Sequence, residues 1–413
     1  MTFELKAKYE AITSFLRPYR ELCLHEILIH YPHILQEYPK EWFDILEHLS
    51  LQQKFELDSG ASYQALEGTP LHALLSEIDE LSKIVSIPLD CAYKLEREKQ
   101  VFIKSKKRHE IERIITGMQN LGLLGATRGL VDIGGGHGHF ARVLTQLGDI
   151  HALCIDGDSK LLDKAVFLKN KTQQSCAHHR LSFRAQMIEK GESLLTPDEK
   201  EKYNLSFGLH TCGNLALKQM DFFLSSGLSH FLNFGCCYLK LNPSNETGLS
   251  HFSKKFNRRH SDESLTLATR GHNPQKIEAF EFKFRVKSYR YALHLLLAQE
   301  YGVDKFISVG DGTKELYRQD FANYAAVKLT QCQIALKHTP DSFNHFFNRE
   351  QTQDEIKRIF HAGLIRWRFG RLLELEVLLD RALYLEEKGY KARLYEFFDP
   401  ALSPRNIGIV AHG

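Results

Sequence analysis

Four glycines within five positions, Gly134, Gly135, Gly136 and Gly138 with His137 among them, follow the apolar run Leu130–Ile133 and precede a segment of helical period, Phe140–Leu147. Glycines between a strand and a helix let the backbone turn tightly and let a ligand approach the amides of the helix N-terminus. Asp132 sits inside the strand end, where a carboxylate can reach a cationic amino group. Asp156 closes the next strand, Ile150–Ile155, and an acid at about that separation holds ribose hydroxyls in nucleotide-binding folds. The bland alternative is a tight turn with Asp158 as a helix cap. The glycine spacing is not that of dinucleotide sites, and no long second nucleotide-binding half follows, which favours S-adenosylmethionine over nicotinamide. The expected cofactor residues are Asp132, Gly134, Gly136, Gly138 and Asp156, with Gln186 in the Phe183–Met187 stretch facing adenine and His210 close by.

Two further strand ends carry chemistry, Leu209-His210-Thr211-Cys212-Gly213-Asn214 and Gly235-Cys236-Cys237-Tyr238. Ligands bind beyond the carboxyl ends of an open parallel sheet, so both motifs should face the glycine loop. There His210 can accept a proton, Asn214 can hydrogen-bond a substrate, and Tyr238 can stack on it or orient it. His210, Cys212, Cys236 and Cys237 are soft ligands, but His-x-Cys spacing and adjacent cysteines do not make a usual zinc site, so no metal is expected. Methyl transfer asks little of side chains: the sulfonium is already activated, and alignment of the nucleophile supplies much of the rate.

The elements that must position these residues alternate. Strand candidates at Leu130–Ile133, Ile150–Ile155, Leu181–Phe183, Leu205–Leu209 and Phe231–Phe234 are separated by helical segments, which implies right-handed crossovers and a parallel sheet. A strong helix, Leu364–Glu387, precedes two last strands, Leu394–Phe398 and Ile407–Val410, whose short link suits an antiparallel hairpin. The fold class is thus α/β and Rossmann-like. It has an N-terminal helical unit over 1–100 and a methyltransferase domain over 101–413, interrupted by a mostly helical insertion at about 243–347. With 43% hydrophobic and 25% charged residues and a net charge of +3, the 413-residue chain has an ordinary soluble composition. The N-terminus lacks a secretory pattern, no stretch is long and apolar enough to span a bilayer, and the 8 cysteines are scattered; a cytoplasmic protein is expected.

The chain resembles the methyltransferase-like protein 25 family, including its 25B branch, from about Lys104 to the C-terminus. The segments that carry the likeness are Lys106–Glu110, Val131–Gly138, Gly208–Asn214, Gly235–Leu241 and Leu379–Arg381 through Leu402–Asn406. More distantly it is similar to tRNA 2′-O-methyltransferases that act on the acceptor stem. The resemblance implies a seven-stranded class I methyltransferase sheet with a reversed last strand. It also implies that Lys107, His109 and Glu110 lie on the approach to the cofactor, Glu110 with the cofactor set and the other two with catalysis. Family members often carry Asp where this chain has Asn214. Basic and aromatic residues interleave at Ser253–Arg259, Phe282–Tyr291 and Ile365–Phe369, a composition that RNA readers use. RNA, as tRNA or rRNA, is therefore the expected substrate. The alternatives are a ribosomal or translation protein as substrate, or a non-catalytic binding module that kept the fold.

Overall fold

The computed structural model describes residues 2–88, 92–172, 179–189, 194–235, 237–239, 248–269, 276–303 and 305–413. Cys91, Cys176, Cys236, Lys240, Leu241 and the first residues of the 243–347 stretch lie outside the described residues.

The helices before the first strand include α1 (Thr2–Leu16) and α2 (Ser105–Asn120). Then follow β1 (Gly129–Ile133), α3 (His139–Leu144), β2 (His151–Asp156), α4 (Ser159–Thr172), β3 (Leu181–Ala185), β4 (Leu205–Thr211), α5 (Asn214–Ser226) and β5 (His230–Gly235). The later elements include α6 (Ile277–Tyr301), α7 (Glu350–Arg368), α8 (Gly370–Glu387), β6 (Lys391–Glu396) and β7 (Ile407–His412). The sheet has 7 strands in the order β3-β2-β1-β4-β5-β7-β6. Strands β1 to β5 pair in parallel, while β7 runs antiparallel to both β5 and β6. This is the seven-stranded class I methyltransferase sheet with its last strand reversed.

Side-chain alternation decides what each face of the sheet meets. Leu130, Phe207, Leu232 and Phe234 share a core with Ile111, Ile114, Ile115 and Met118 of α2 and Phe140 and Leu144 of α3. The helical spacing of that apolar stripe continues toward the start of α2 as Lys107 and Glu110. Asp132, two positions beyond Leu130, is directed to the same side of β1. A polar end of the α2 interface is thereby set against the carboxyl ends of the strands.

The chain divides into two compact units: Met1–Arg17, Glu80–Asn273 and Gly370–Gly413 form the first, and Pro18–Asp79 with Pro274–Phe369 the second. The grouping differs from an N-terminal unit over 1–100 followed by a helical insertion. In the first unit α1 joins the sheet domain, where Thr13 donates to Glu376 of α8 at 3.0 Å. In the second, residues 18–79 share a core with α6 and α7, as Phe55 and Phe360 show by packing against Phe280 (5.8 and 5.9 Å). The helix expected over Leu364–Glu387 is two helices broken at Phe369, next to Gly370, a poor helix former. No helix among the described residues is long and apolar enough to cross a membrane.

Helix α8 carries a buried ion pair into the first unit. Asp380, whose side chain is 2% exposed, accepts from Arg258 and from the backbone amides of Leu249 (2.7 Å) and Ser250 (2.9 Å). Asp380→Ala would strand the Arg258 charge in the interior, a loss of about 3–5 kcal/mol. The urea midpoint should fall accordingly; an unchanged midpoint would show the pair to be dispensable.

Candidate active site

Gly134, Gly136 and Gly138 all take left-handed backbone, with φ of 67°, 52° and 64°. That conformation costs a residue with a Cβ but not glycine, which is why the turn is built from glycines. The Gly136 amide donates to Asp156 Oδ2 at 2.9 Å, and the Asp158 amide donates to Oδ1 at 2.9 Å. The Gln186 amide donates to the Asp156 carbonyl at 3.0 Å, and the Gly134 amide to that of Ile155 at 2.8 Å. Asp156 is thus turned toward the glycine loop and ties the ends of β1, β2 and β3 into one rim. Exposed Met187 lies over Gly157, where a Cβ would come within 2.2 Å of its sulfur.

Asp132 is 3% exposed, and burial pushes its pKa up to about 7, with the Lys107 charge opposing and the Asp156 charge adding to the shift. A carboxyl poised in this way becomes fully ionised when a cation is placed beside it. Of the residues expected to hold the cofactor, Asp132, Gly134, Gly136, Gly138, Asp156 and Gln186 are brought to one rim. Asn214 opens α5, and its neighbour Leu215 comes within 3.0 Å of the place where a Cβ on Gly134 would stand.

On the α2 side of that rim lies a second cluster. Glu110 is fully buried, yet its carboxylate is encircled by donors: Lys107 Nζ at 2.7 Å, His210 Nε2 at 2.9 Å and the Ser403 hydroxyl at 3.0 Å. Burial pushes its pKa up, but the hydrogen bond from His210 and the Lys107 charge outweigh that and hold it down at about 2. Glu110 was expected to touch the cofactor; its Oε1 meets His210 and Ser403, while Oε2 faces the Lys107 ammonium.

His210 reaches Glu110 through unusual backbone. Its φ is 62°, and the pairing of β4 with β5 slips between Leu209 and Thr211. Simple alternation would send the residue after Leu209 to the opposite face of the sheet. The left-handed residue at the slip returns the ring to the α2 side. For a side chain with a Cβ this costs on the order of 1 kcal/mol or more, and such strain gathers at functional sites. The Gly213 amide donates to the Cys237 carbonyl at 2.6 Å and fastens the turn to the end of β5.

Other expected site residues take different places. Tyr238 is fully buried; its hydroxyl donates to Glu374 at 3.1 Å and its ring lies 5.5 Å from the Arg381 guanidinium. It braces β5 against α8 and has no face left for a substrate. His109 accepts the Asp399 amide on Nε2 at 3.2 Å, and burial pushes its pKa down, so it anchors the link between β6 and β7. Cys212 and Cys237 are partly buried thiols near the strand ends. Among the described residues, no group of three or more His, Cys, Asp or Glu side chains is arranged to hold a metal. Much of the basic and aromatic stretches turns inward, although Lys254, Lys255, Arg259 and Arg285 are exposed. Arg366 is 1% exposed and donates to the carbonyls of Leu22 (2.9 Å) and Cys23 (3.1 Å), while Arg258 belongs to the Asp380 pair. Trp367 lies between the ammonium groups of Lys283 and Lys287, at 4.5 and 4.6 Å, and Tyr289 and Tyr291 are buried.

Sequence reasoning gave no site role to Ser403, which is 1% exposed and donates to Glu110. The Lys107–Glu110 pair, by contrast, has the three-residue helical spacing that a closer reading could have used.

Residues 106–244 match the family model of a methyltransferase domain. The stretch holds α2, the glycine loop, Asp156, His210 and both later strand ends. Residues 106–244 form a methyltransferase domain. Among solved structures the chain is similar to coclaurine N-methyltransferase bound to N-methylheliamine and SAH, at 12% identity over 98% of each chain, with a TM-score of 0.27.

The raised Asp132 pKa makes a stability prediction. Below about pH 4 the carboxyl is protonated whether the chain is folded or not. Between there and pH 7 the unfolded chain ionises first, so this group costs the cofactor-free enzyme roughly 1.4 kcal/mol of stability per pH unit. Asp132→Asn should therefore gain stability relative to wild type as pH rises from 4 to 7, read from urea midpoints. A difference independent of pH would overturn this account of Asp132.

Proposed function

We propose that the enzyme methylates RNA at a hydroxyl group, with His210 as the base that removes the proton. The observation that carries the reading is the His210 ring, held on strained backbone at the carboxyl end of β4 beside the glycine loop. A thioether or tertiary amine acceptor has no proton to lose, whereas a hydroxyl must give up its proton as the methyl arrives. With S-adenosylmethionine as the cofactor, Asp132 would face the amino group, the side-chain-free turn of Gly134, Gly136 and Gly138 would let the amino-acid portion come close to the backbone, Asp156 would face the ribose and Gln186 the adenine. The cofactor brings an activated methyl group; the chain contributes alignment, exclusion of water and a proton acceptor.

The rim near the start of α2 supports a polyanionic substrate. Lys104, Lys106 and Arg108 are exposed there, and Phe102, just before them, is 55% exposed on left-handed backbone. Cations for phosphates beside an open ring for a base make a surface suited to a nucleotide strand. The likeness to acceptor-stem tRNA 2′-O-methyltransferases favours tRNA and its ribose hydroxyls. The inward-turned stretches at Phe282–Tyr291 and Ile365–Phe369 add no support.

Label transferred from methyl-labelled cofactor into a cell extract should be lost on ribonuclease treatment and survive protease. Label that resists ribonuclease and disappears with protease would replace RNA by a protein substrate. Phe102→Ala should lower kcat/KM for the RNA roughly tenfold or more, at unchanged affinity for S-adenosylhomocysteine. Full activity in that variant would remove the stacking role.

A further inference from the structure

We infer that Glu110 is a positioning residue that sets the tautomer of His210, leaving Nδ1 as the atom that takes the proton of the methyl acceptor. This rests on the reading of His210 as the base. A carboxylate held at a pKa of about 2 is ionised throughout the working range and can only accept hydrogen bonds. The 2.9 Å contact between its Oε1 and His210 Nε2 therefore requires a hydrogen on Nε2. In neutral imidazole the other nitrogen, Nδ1, then carries the lone pair.

The surroundings confine Glu110 to that task. Lys107 occupies Oε2 at 2.7 Å, and the Ser403 hydroxyl shares Oε1 with the histidine at 3.0 Å. Lys106 stands 3.9 Å from Oε1 with its side chain 55% exposed. On α2 the neighbour His109 is already bonded to Asp399 of the β6–β7 link. From β1 the Asp132 charge faces Lys107, and from β4 the Cys212 thiol lies 3.4 Å from the His210 carbonyl. Of the carboxylates among these neighbours, Glu110 is the one in contact with the His210 ring.

In the transfer, a bond forms between the acceptor oxygen and the methyl carbon while the carbon–sulfur bond breaks, its electron pair staying on sulfur. The acceptor proton passes to Nδ1. The imidazolium that results is stabilised by Glu110 through the Nε2 hydrogen bond, so the sulfonium charge lost is matched by the charge gained on the ring. The carboxylate acts through the histidine and touches neither cofactor nor acceptor.

The amide of Glu110→Gln has an oxygen and two hydrogens to place. Lys107 is the stronger donor and claims the oxygen, so the amide hydrogens face His210 Nε2, which must then accept and send its proton to Nδ1. Nitrogen-15 spectra of histidine-labelled enzyme, with His210→Gln assigning the signal, should show Nε2–H in wild type and Nδ1–H in Glu110→Gln. In the variant, kcat should fall by about 100-fold or more, with the acidic limb of its pH profile moved to lower pH and the affinity for S-adenosylhomocysteine unchanged. A wild-type spectrum with hydrogen on Nδ1 would overturn the inference without recourse to any variant. So would a Glu110→Gln enzyme with unaltered tautomer and kcat, or one that has lost cofactor binding alone. If wild type labels protein in place of RNA, the substrate reading fails, and the tautomer with kcat on that protein still decides the role of Glu110.

Discussion

The Glu110 carboxylate lies wholly inside the protein and is met by donors from three separated stretches of chain: Lys107 of α2, His210 at the end of β4 and Ser403 of the β6–β7 link. An ionised carboxylate buried alone would cost several kcal/mol. Its ionised state therefore requires those donors in place, and their elements with them. The start of α2, the slip in β4 and the last hairpin are coupled through one charge.

The glycine loop obeys a similar logic with backbone donors. Asp156 satisfies the amides of Gly136 and Asp158, and the Asp156 carbonyl takes the Gln186 amide. The shape of the rim is thus held by the chain's own hydrogen bonds. Asp132 works in the opposite sense. Its burial disfavours charge, and the cation that would relieve this is the amino group of the cofactor.

Much of this was legible in the sequence because it follows from periodicity and local chemistry. Alternating apolar runs marked each strand, and the short link after Phe398 marked the hairpin. The glycine loop and Asp156 were readable from spacing. What escaped was set by distant partners. Tyr238 ends a strand where ligands bind, but Glu374 and Arg381 of α8, more than a hundred residues away, draw it inward. The stretches Phe282–Tyr291 and Ile365–Phe369 have an RNA reader's composition, and only packing shows that their rings and cations are used inside. His210 was legible as a polar residue at the carboxyl end of a strand, whereas its left-handed backbone and its bond to Glu110 were not. Glu110 was assigned a part from family likeness, and its contacts to His210 and Ser403, set by distant stretches of chain, were not readable.

The most direct test of the whole account is calorimetric titration of the purified chain with S-adenosylhomocysteine. One equivalent should bind per chain in wild type, and Asp156→Ala, which removes the carboxylate of the rim, should bind far more weakly. Absence of binding to wild type, or undiminished binding to Asp156→Ala, would contradict a cofactor site at the glycine loop.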